Sequence, residues 1–367
     1  MNITFFCNNL SFVLSHRIDL IKYLTINNFR VTVVTNFDGI PPDLKNVRFI
    51  NYNIKSGINF FRFIDSIFYY RSIIKNNKTD IIHVIGLKCI LINIFSNIKL
   101  KVINILHFTG LGNIFVMSRY FALKLFFQFL IRIIVKKKNL YLIFQKFEDI
   151  KKIKIEQFYH KNKNIFIIPG SGVDCKKFFI KKKITKKRKL NVLMASRLVK
   201  NKGISTYLEI SKNFKSDNNF FFYLAGKKVD TINSYNFSNI KNHRYENFEY
   251  LGHVKDMHEL LKKIDIVIYP STYGEGIPKF LLECLASGVS FILSNTDTNK
   301  YIVDHGLNGF LANNLNEYIF YLNKMTNPKL RKSFFLESKN KSTKFDINQI
   351  NKSHLDIYNM ITNIKIS

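Results

Sequence analysis

The chain has 367 residues, 47% of them apolar, enough to bury two cores of ordinary domain size. Lys and Arg number 57 against 25 Asp and Glu, and the resulting net charge of +32 excludes an indifferent surface. It implies an anionic partner: nucleic acid, an anionic membrane face or a phosphorylated substrate. Cys7, Cys89, Cys175 and Cys284 lie far apart, with no Cys-x-x-Cys and no His/Cys cluster at metal-ligand spacing. They read as scattered thiols in a reducing compartment. The start of the chain lacks the basic residues and cleavage site of a signal peptide. No uncharged apolar run approaches the roughly 18 to 20 residues that span a bilayer. The expectation is a cytoplasmic protein, held at most on a membrane surface.

Short apolar strands alternate with helical patterns along the whole chain. "NITFFC" (2–7) reads as a strand, followed by a loop and a helix near 16–28. "VTVVTN" (31–36), "DIIHVIG" (80–86), "KVINILHF" (101–108), "LYLIFQ" (140–145) and "NIFIIPGSGVD" (164–174) continue the series. These runs are almost wholly apolar, as parallel strands covered on both faces are. A basic stretch, "CKKFFIKKKITKKRKL" (175–190), then reads as an interdomain linker. A second series follows: "LNVLMAS" (190–196), "FFFYLAG" (220–226), "FEYLGHV" (248–254), "IDIVIYPS" (264–271) and "VSFILS" (289–294). Two doubly wound α/β domains are expected, with a cleft between the carboxyl ends of their sheets. The boundaries fall at 1–172 and 173–345, with a C-terminal helix from about 346 to 367 returning to the first domain.

Two constellations in the second half carry chemistry. In "SRLVKNKG" (196–203), Arg197 and Lys202 flank a strand-to-helix turn, a fork and a point charge suited to a diphosphate. In "YGEGIPKFLLECLASGVSFILS" (273–294), Glu275 sits in a glycine-bracketed turn and Gly276 lets a ligand approach the backbone. Pro278 suits a first helical turn, and the helix start is a ready anion site. Glu283 lies about two helical turns beyond Glu275, roughly 12 Å at 1.5 Å per residue, too far for an acid/base dyad on one atom. The two carboxylates could instead hold the two ends of an extended ligand.

These residues resemble the retaining GT-B glycosyltransferases of family four. "EGIPKFLLECLASGVSFI" is similar to that family's "EGxPxxLLEAxAxGxPVI", "SRLVKNKGI" to "GRLxxxKGI", "NGFLA" (308–312) to "NGxLV", and "PGSGVDCKKF" (169–178) to "NGVDxxxF". The resemblance implies a GT-B fold and a nucleotide-sugar donor held by the second domain. Arg197 and Lys202 would neutralise the diphosphate, Glu283 would hold the ribose hydroxyls and Glu275 the sugar. Gly276, Ile277, Pro278 and Gly226 would complete the donor site. The family's "SxxxGxxE" is "SNTDTNKY" (294–301) here, with the glycine lost and Tyr301 in place of the glutamate.

In the first half, "SFVLSHRIDLIKYL" (11–24) and "HFTGLGNIF" (107–115) resemble "FxxHRxPI" and "xGLGxxF" of the branch that extends polyprenyl-diphosphate-linked oligosaccharides. Ser15, His16, Arg17, Gly110 and Gly112 become acceptor-side or loop candidates. His16 is the catalytic candidate of that half, while the family's catalytic-region histidine is assignable to neither His16 nor His107 alone; His83 reads as structural. The chain has no Asp-x-Asp, so no metal is expected and no cofactor beyond a UDP-sugar substrate. Arg, Lys and a helix dipole would take the divalent cation's place. Two basic, aromatic-rich segments, 58–78 and 118–138, read either as amphipathic helices for an anionic membrane or as helices packed on the sheet. The leading expectation is a glycosyltransferase moving an N-acetylhexosamine from a UDP-sugar to a lipid-linked glycan at the inner membrane face, in O-antigen, capsule or similar synthesis. A soluble acceptor is the alternative. A nucleic-acid-binding protein leaves the phosphate-site motifs unexplained, and a non-catalytic sugar-nucleotide binder would follow only from the Tyr301 departure.

Overall fold

The computed structural model describes residues 1–52, 60–96, 102–115, 120–161, 163–180, 184, 189–229, 233–272 and 274–366. The chain divides into two compact units, Met1–Ser171 with Gln349–Ser367, and Gly172–Asn348.

The first unit holds β1 (Asn2–Asn9), β2 (Arg30–Asn36), β3 (Val47–Asn51), β4 (Ile81–Ile85), β5 (Ile103–Phe108), β6 (Leu140–Phe144) and β7 (Ile165–Ile167). They pair in parallel in the order β3-β2-β1-β4-β5-β6-β7. Every residue of β4, β5 and β6 is buried, which is why their sequences are nearly continuous apolar runs, broken by His83, Asn104 and His107. Successive side chains enter opposite cores: Phe6, Leu106 and Phe108 on one face, Phe5, Ile105 and Ile143 on the other. The C-terminal helix Ile347–Ile366 adds Ile350, Ile357, Tyr358 and Ile361 to the second of these cores, as expected.

The start of this unit differs from the sequence expectation. No loop follows β1, because the helix Leu10–His16 begins at once and a second helix, Ile18–Ile26, follows it. Asn9 is the cause: its side chain accepts the Phe12 N–H at 2.8 Å and starts the helix directly after the strand. Ser15 and His16 therefore end a helix rather than begin one, and Arg17 is the joint between the two. The exposed edge strand β3 was not expected from the sequence, because its pattern is only partly buried.

The two aromatic-rich segments behave differently. The helix Phe60–Asn76 is a domain helix, with Tyr70 stacked 4.0 Å from Phe6 between ring centroids. Residues 58 and 59 of the expected helix lie outside the described residues. The helix Phe121–Ile134 buries Phe127, Ile131 and Ile134 but exposes Phe121, Leu123, Leu125, Phe126, Phe129 and Ile133. Arg119, expected within it, lies outside the described residues. Among the described residues no helix is long and apolar enough to cross a membrane.

The second unit holds β8 (Leu190–Ala195), β9 (Phe220–Ala225), β10 (Phe248–Gly252), β11 (Ile266–Tyr269), β12 (Ser290–Ser294) and β13 (Gly309–Ala312), in the parallel order β10-β9-β8-β11-β12-β13. The short β13 escapes a sequence reading because it opens on glycine. A Cβ at Gly309 would lie 2.7 Å from the Phe291 Cβ on the neighbouring strand. The basic segment after Asp174 is not a free linker over its first part. Phe178 and Ile180 are buried in this unit's core, and the Val173 N–H donates to the Phe345 carbonyl at 2.9 Å. Residues 181–183 and 185–188 lie outside the described residues.

Each sheet grows outward in both directions from its first strand. β1 sits between β2 and β4, and β8 between β9 and β11. Crossovers leave to opposite faces there, which opens a crevice at the carboxyl ends of the two central strands.

Candidate functional site

In the second unit, Lys202 on the turn after β8 meets Glu275 on the turn after β11 beside that crevice. β8 ends at Ala195, and Arg197 follows with its side chain exposed. A single 3₁₀ turn, Lys200–Lys202, ends at Gly203, whose φ is +79°. A Cβ there would stand 2.2 Å from the Pro270 carbonyl oxygen, so only glycine lets this turn press against the end of β11. That approach buries Lys202. Its Nζ donates to the Tyr269 hydroxyl at 2.8 Å and forms an ion pair with Glu275 Oε2. The Tyr269 hydroxyl in turn donates to Glu275 Oε1 at 2.9 Å. Burial lowers the Lys202 pKa, against the attraction of Glu275, and the Arg197 charge also lowers it.

Gly226, at the end of β9, has a steric reason to be glycine. A Cβ would fall 1.8 Å from the Ser196 carbonyl oxygen, on the very segment that carries Arg197. Gly226→Ala is expected to lower stability by about 2–4 kcal/mol, through displacement of backbone rather than loss of a contact. Urea unfolding measures it, and an unchanged midpoint contradicts the close approach.

The turn after β11 brings Gly276 and Ile277 into burial and leads to the helix Lys279–Ser287. Pro278 is its N-cap, one position before the first helical turn assigned from the sequence, and no side chain caps the helix. Only the last four of the eight steps from Glu275 to Glu283 are helical, about 6 Å of axis, so the 12 Å separation drawn from continuous helix does not hold. The two carboxylates are nonetheless differently engaged. Burial raises the Glu283 pKa from 4.5 to about 7, against the nearby Lys279 and Lys177 charges. The folded protein thus holds a proton that the unfolded chain releases. Its contribution to stability is full below about pH 4.5 and lost as pH rises through 7. Glu283→Gln is expected to leave the melting temperature near wild type at pH 5 and to raise it at pH 8. Melting curves at the two pH values check the sign.

The altered loop after β12 still reaches the site. The Thr298 hydroxyl donates to the Glu275 carbonyl at 3.1 Å, and Tyr301 lies within the short helix Asn299–Ile302. Sequence reasoning missed Thr298 and Tyr269; the latter's signal was a tyrosine directly before the proline of "IYPS".

In the first unit, Ser15 and His16 lie beyond the carboxyl end of β1. The Ser15 hydroxyl is 2.7 Å from the Ser11 carbonyl and 2.6 Å from His16 Nδ1. A carbonyl only accepts, so the hydroxyl proton goes to Ser11, and His16 donates from Nδ1 and keeps its lone pair on Nε2. Arg17 departs from its expected place on the acceptor surface. It is only 2% exposed, and its guanidinium donates inward to His107 Nε2 at 3.3 Å and to the His16 carbonyl at 3.3 Å. Gly110 (φ +115°) and Gly112 (φ +58°) shape the turn after β5 in backbone conformations that favour glycine.

The ring nitrogens of the buried His83, His107 and His354 come within 4.8 Å of one another, a spacing that a metal could use. Arg17 takes the lone pair that His107 Nε2 would offer. Guanidinium only donates, so His107 Nε2 holds a lone pair and its proton sits on Nδ1. That proton points to His83 Nε2 at 3.1 Å, and His83 Nδ1 donates to the Tyr358 hydroxyl at 2.6 Å. Burial keeps both histidines neutral by pushing their pKa values well down. The chain of bonds fastens the C-terminal helix across β4 and β5 to Arg17. His83 and His107 are thereby buried and bonded within the fold, and His16 is the accessible histidine of the two left open by the sequence.

Two parallel sheets of seven and six strands, each wound in both directions from its first strand, make the fold of the GT-B glycosyltransferases. Residues 175–319 match the family model described as Glycosyl transferases group 1. It is 26% identical over 217 residues to an N,N'-diacetylbacillosaminyl-diphospho-undecaprenol alpha-1,3-N-acetylgalactosaminyltransferase of Campylobacter jejuni, covering 55% of this chain and 56% of that one. It is 28% identical over 274 residues to a UDP-Gal:alpha-D-GlcNAc-diphosphoundecaprenol alpha-1,3-galactosyltransferase of Escherichia coli, covering 70% of this chain and 69% of that one. Its fold matches the crystal structure of a glycosyltransferase from Rickettsia africae with a TM-score of 0.76 at 19% identity, over 98% of both chains.

Proposed function

We propose that the chain is a retaining glycosyltransferase. It moves a sugar, an N-acetylhexosamine in the favoured reading, from a UDP-sugar to a polyprenyl-diphosphate-linked acceptor at the inner face of the cell membrane. The product is a bacterial surface glycan of the O-antigen or capsule kind. The observation that carries this reading is the convergence of Lys202, Glu275 and the start of the helix Lys279–Ser287 beside Arg197. The two curated relatives, both named for transfer to undecaprenyl-diphosphate-linked glycans, support the acceptor class, and one is named for a UDP-sugar donor.

In this mechanism Arg197, Lys202 and the helix dipole stabilise the charge that develops on the departing diphosphate. The bond from the sugar's anomeric carbon to the diphosphate oxygen breaks, and the acceptor hydroxyl bonds to the same face. Its proton passes to the released diphosphate. Glu275 holds the sugar hydroxyls, and Glu283 the ribose hydroxyls. Gly276, Ile277 and Pro278 bring the backbone to the phosphates. His16 stands on the acceptor side with Ser15. Fixed cations serve in place of a divalent ion, a reading supported by a sequence without Asp-x-Asp. The test is a panel of UDP-sugars with a short polyprenyl-diphosphate-linked N-acetylglucosamine: glycolipid and UDP form together, and formation of neither sinks the proposal.

A lipid-linked acceptor is favoured over a soluble one by the helix Phe121–Ile134. Phe121 is 62% and Phe129 64% exposed, while Arg132 and Lys136–Lys138 are exposed beside them. An apolar stripe with a basic margin suits an anionic bilayer surface. The protein is expected to float with phosphatidylglycerol-containing liposomes at low salt and to be released in part at high salt. Replacement of Phe121, Phe126 and Phe129 by serine should abolish flotation; absence of wild-type flotation at low salt contradicts the peripheral reading.

A further inference from the structure

We propose that Tyr269 is the positioning residue of Glu275, and that Lys202 is the partner Glu275 gives up when the donor diphosphate binds; this rests on the function proposed above. Tyr269 is the last residue of β11 and is buried. Its hydroxyl accepts from Lys202 Nζ at 2.8 Å and donates to Glu275 Oε1 at 2.9 Å, while Lys202 also holds Glu275 Oε2. The three groups form a closed triangle. Its members are unequal as donors: an ammonium is drawn to whichever anion is stronger, and a neutral phenol is not.

An incoming diphosphate held by Arg197 would bring negative charge toward Lys202. Lys202 then divides its three protons between phosphate and carboxylate, and its grip on Glu275 weakens. The phenol loses nothing in this exchange. Burial holds its pKa well above the ordinary tyrosine value, so it remains a proton donor at any pH the protein meets. Glu275 is flanked by Gly274 and Gly276, and its backbone carbonyl accepts from the Thr298 hydroxyl at 3.1 Å. Without the phenol its carboxylate would lose the donor that the diphosphate does not draw away, at the moment the sugar needs a fixed acceptor of hydrogen bonds. A phenylalanine would fill the same volume against Phe280, 6.4 Å away between ring centroids, and would remove only the hydroxyl.

The experiment compares Tyr269→Phe with wild type and Glu275→Gln. Steady-state transfer is measured with UDP-N-acetylgalactosamine, UDP-N-acetylglucosamine and UDP-galactose, and UDP binding by calorimetry. Tyr269→Phe is expected to lower kcat by about 10- to 100-fold, the worth of a hydrogen bond to a charged group, while the UDP Kd stays within about threefold. An unchanged kcat overturns the positioning role. So does a fall in UDP affinity equal to the fall in turnover, which marks general damage to the pocket. The two readings separate in the control: a Glu275→Gln variant that turns over like wild type overturns the site assignment itself, whereas an inactive Glu275→Gln with a fully active Tyr269→Phe overturns the Tyr269 role alone.

Discussion

Glu275→Ala is expected to lower sugar transfer by about 10²- to 10³-fold or more, the scale on which loss of one group aimed at the reacting centre is felt. The expectation follows from where the carboxylate is spent. Tyr269, Lys202 and, through its backbone, Thr298 all hold Glu275 at the end of β11. Such constraint on a partly exposed carboxylate serves placement. The alanine variant also leaves Lys202 buried without its counter-charge, which is expected to lower the melting temperature. Glu275→Gln separates the two effects. It keeps the side-chain volume and one amide oxygen that either the phenol or the ammonium can use, so part of the stability returns, yet it removes the negative charge that would face the developing positive charge on the sugar. Transfer assays and melting curves on both variants check this. Recovery of turnover by the glutamine contradicts an electrostatic role.

Arg197→Ala is expected to behave in the opposite way, with loss of function and no loss of stability. Its side chain is exposed, so truncation should change unfolding free energy by no more than about 0.5 kcal/mol. Its charge already reaches Lys202 and Tyr269, and a diphosphate placed there gains a fork of donors. Transfer should fall to about 1% of wild type and UDP should bind roughly 10- to 100-fold more weakly, the worth of a charged hydrogen bond. Arg197→Lys should recover only part of this, because an ammonium cannot grip two phosphate oxygens in one plane. Equal UDP affinity in wild type and Arg197→Ala would remove Arg197 from the donor site.

The two turns proposed to hold the donor were largely legible in the sequence, because the residues of each are local. Arg197 and Lys202 belong to one strand-to-helix turn, Glu275 through Glu283 to another, and adjacency of β8 and β11 follows from doubly wound topology. What local pattern does not encode is which group takes Lys202. The ion pair with Glu275 spans 73 positions, and Tyr269 read as one more apolar strand residue. Helix geometry also misled where the helix began: Pro278 is an N-cap, so the spacing of the two glutamates was measured along a helix only half present. The acceptor side was less legible. Arg17 follows His16 in sequence, but the turn between two helices sends it inward to His107, and its partners come from 90 positions away. The histidine network closes on Tyr358, 275 positions from His83, a distance at which no spacing rule operates.

The central claim is that one turn after β8 and one after β11 together hold a nucleotide-sugar for transfer. It is tested most directly by incubating wild type, Arg197→Ala and Glu275→Gln with the UDP-sugar panel and the polyprenyl-diphosphate-linked N-acetylglucosamine, and by measuring UDP and glycolipid in the same samples. The account predicts one UDP released per glycolipid formed by wild type, and near-background levels of both from the two folded variants. Equal turnover by all three proteins, or no turnover by wild type with any donor of the panel, would contradict it.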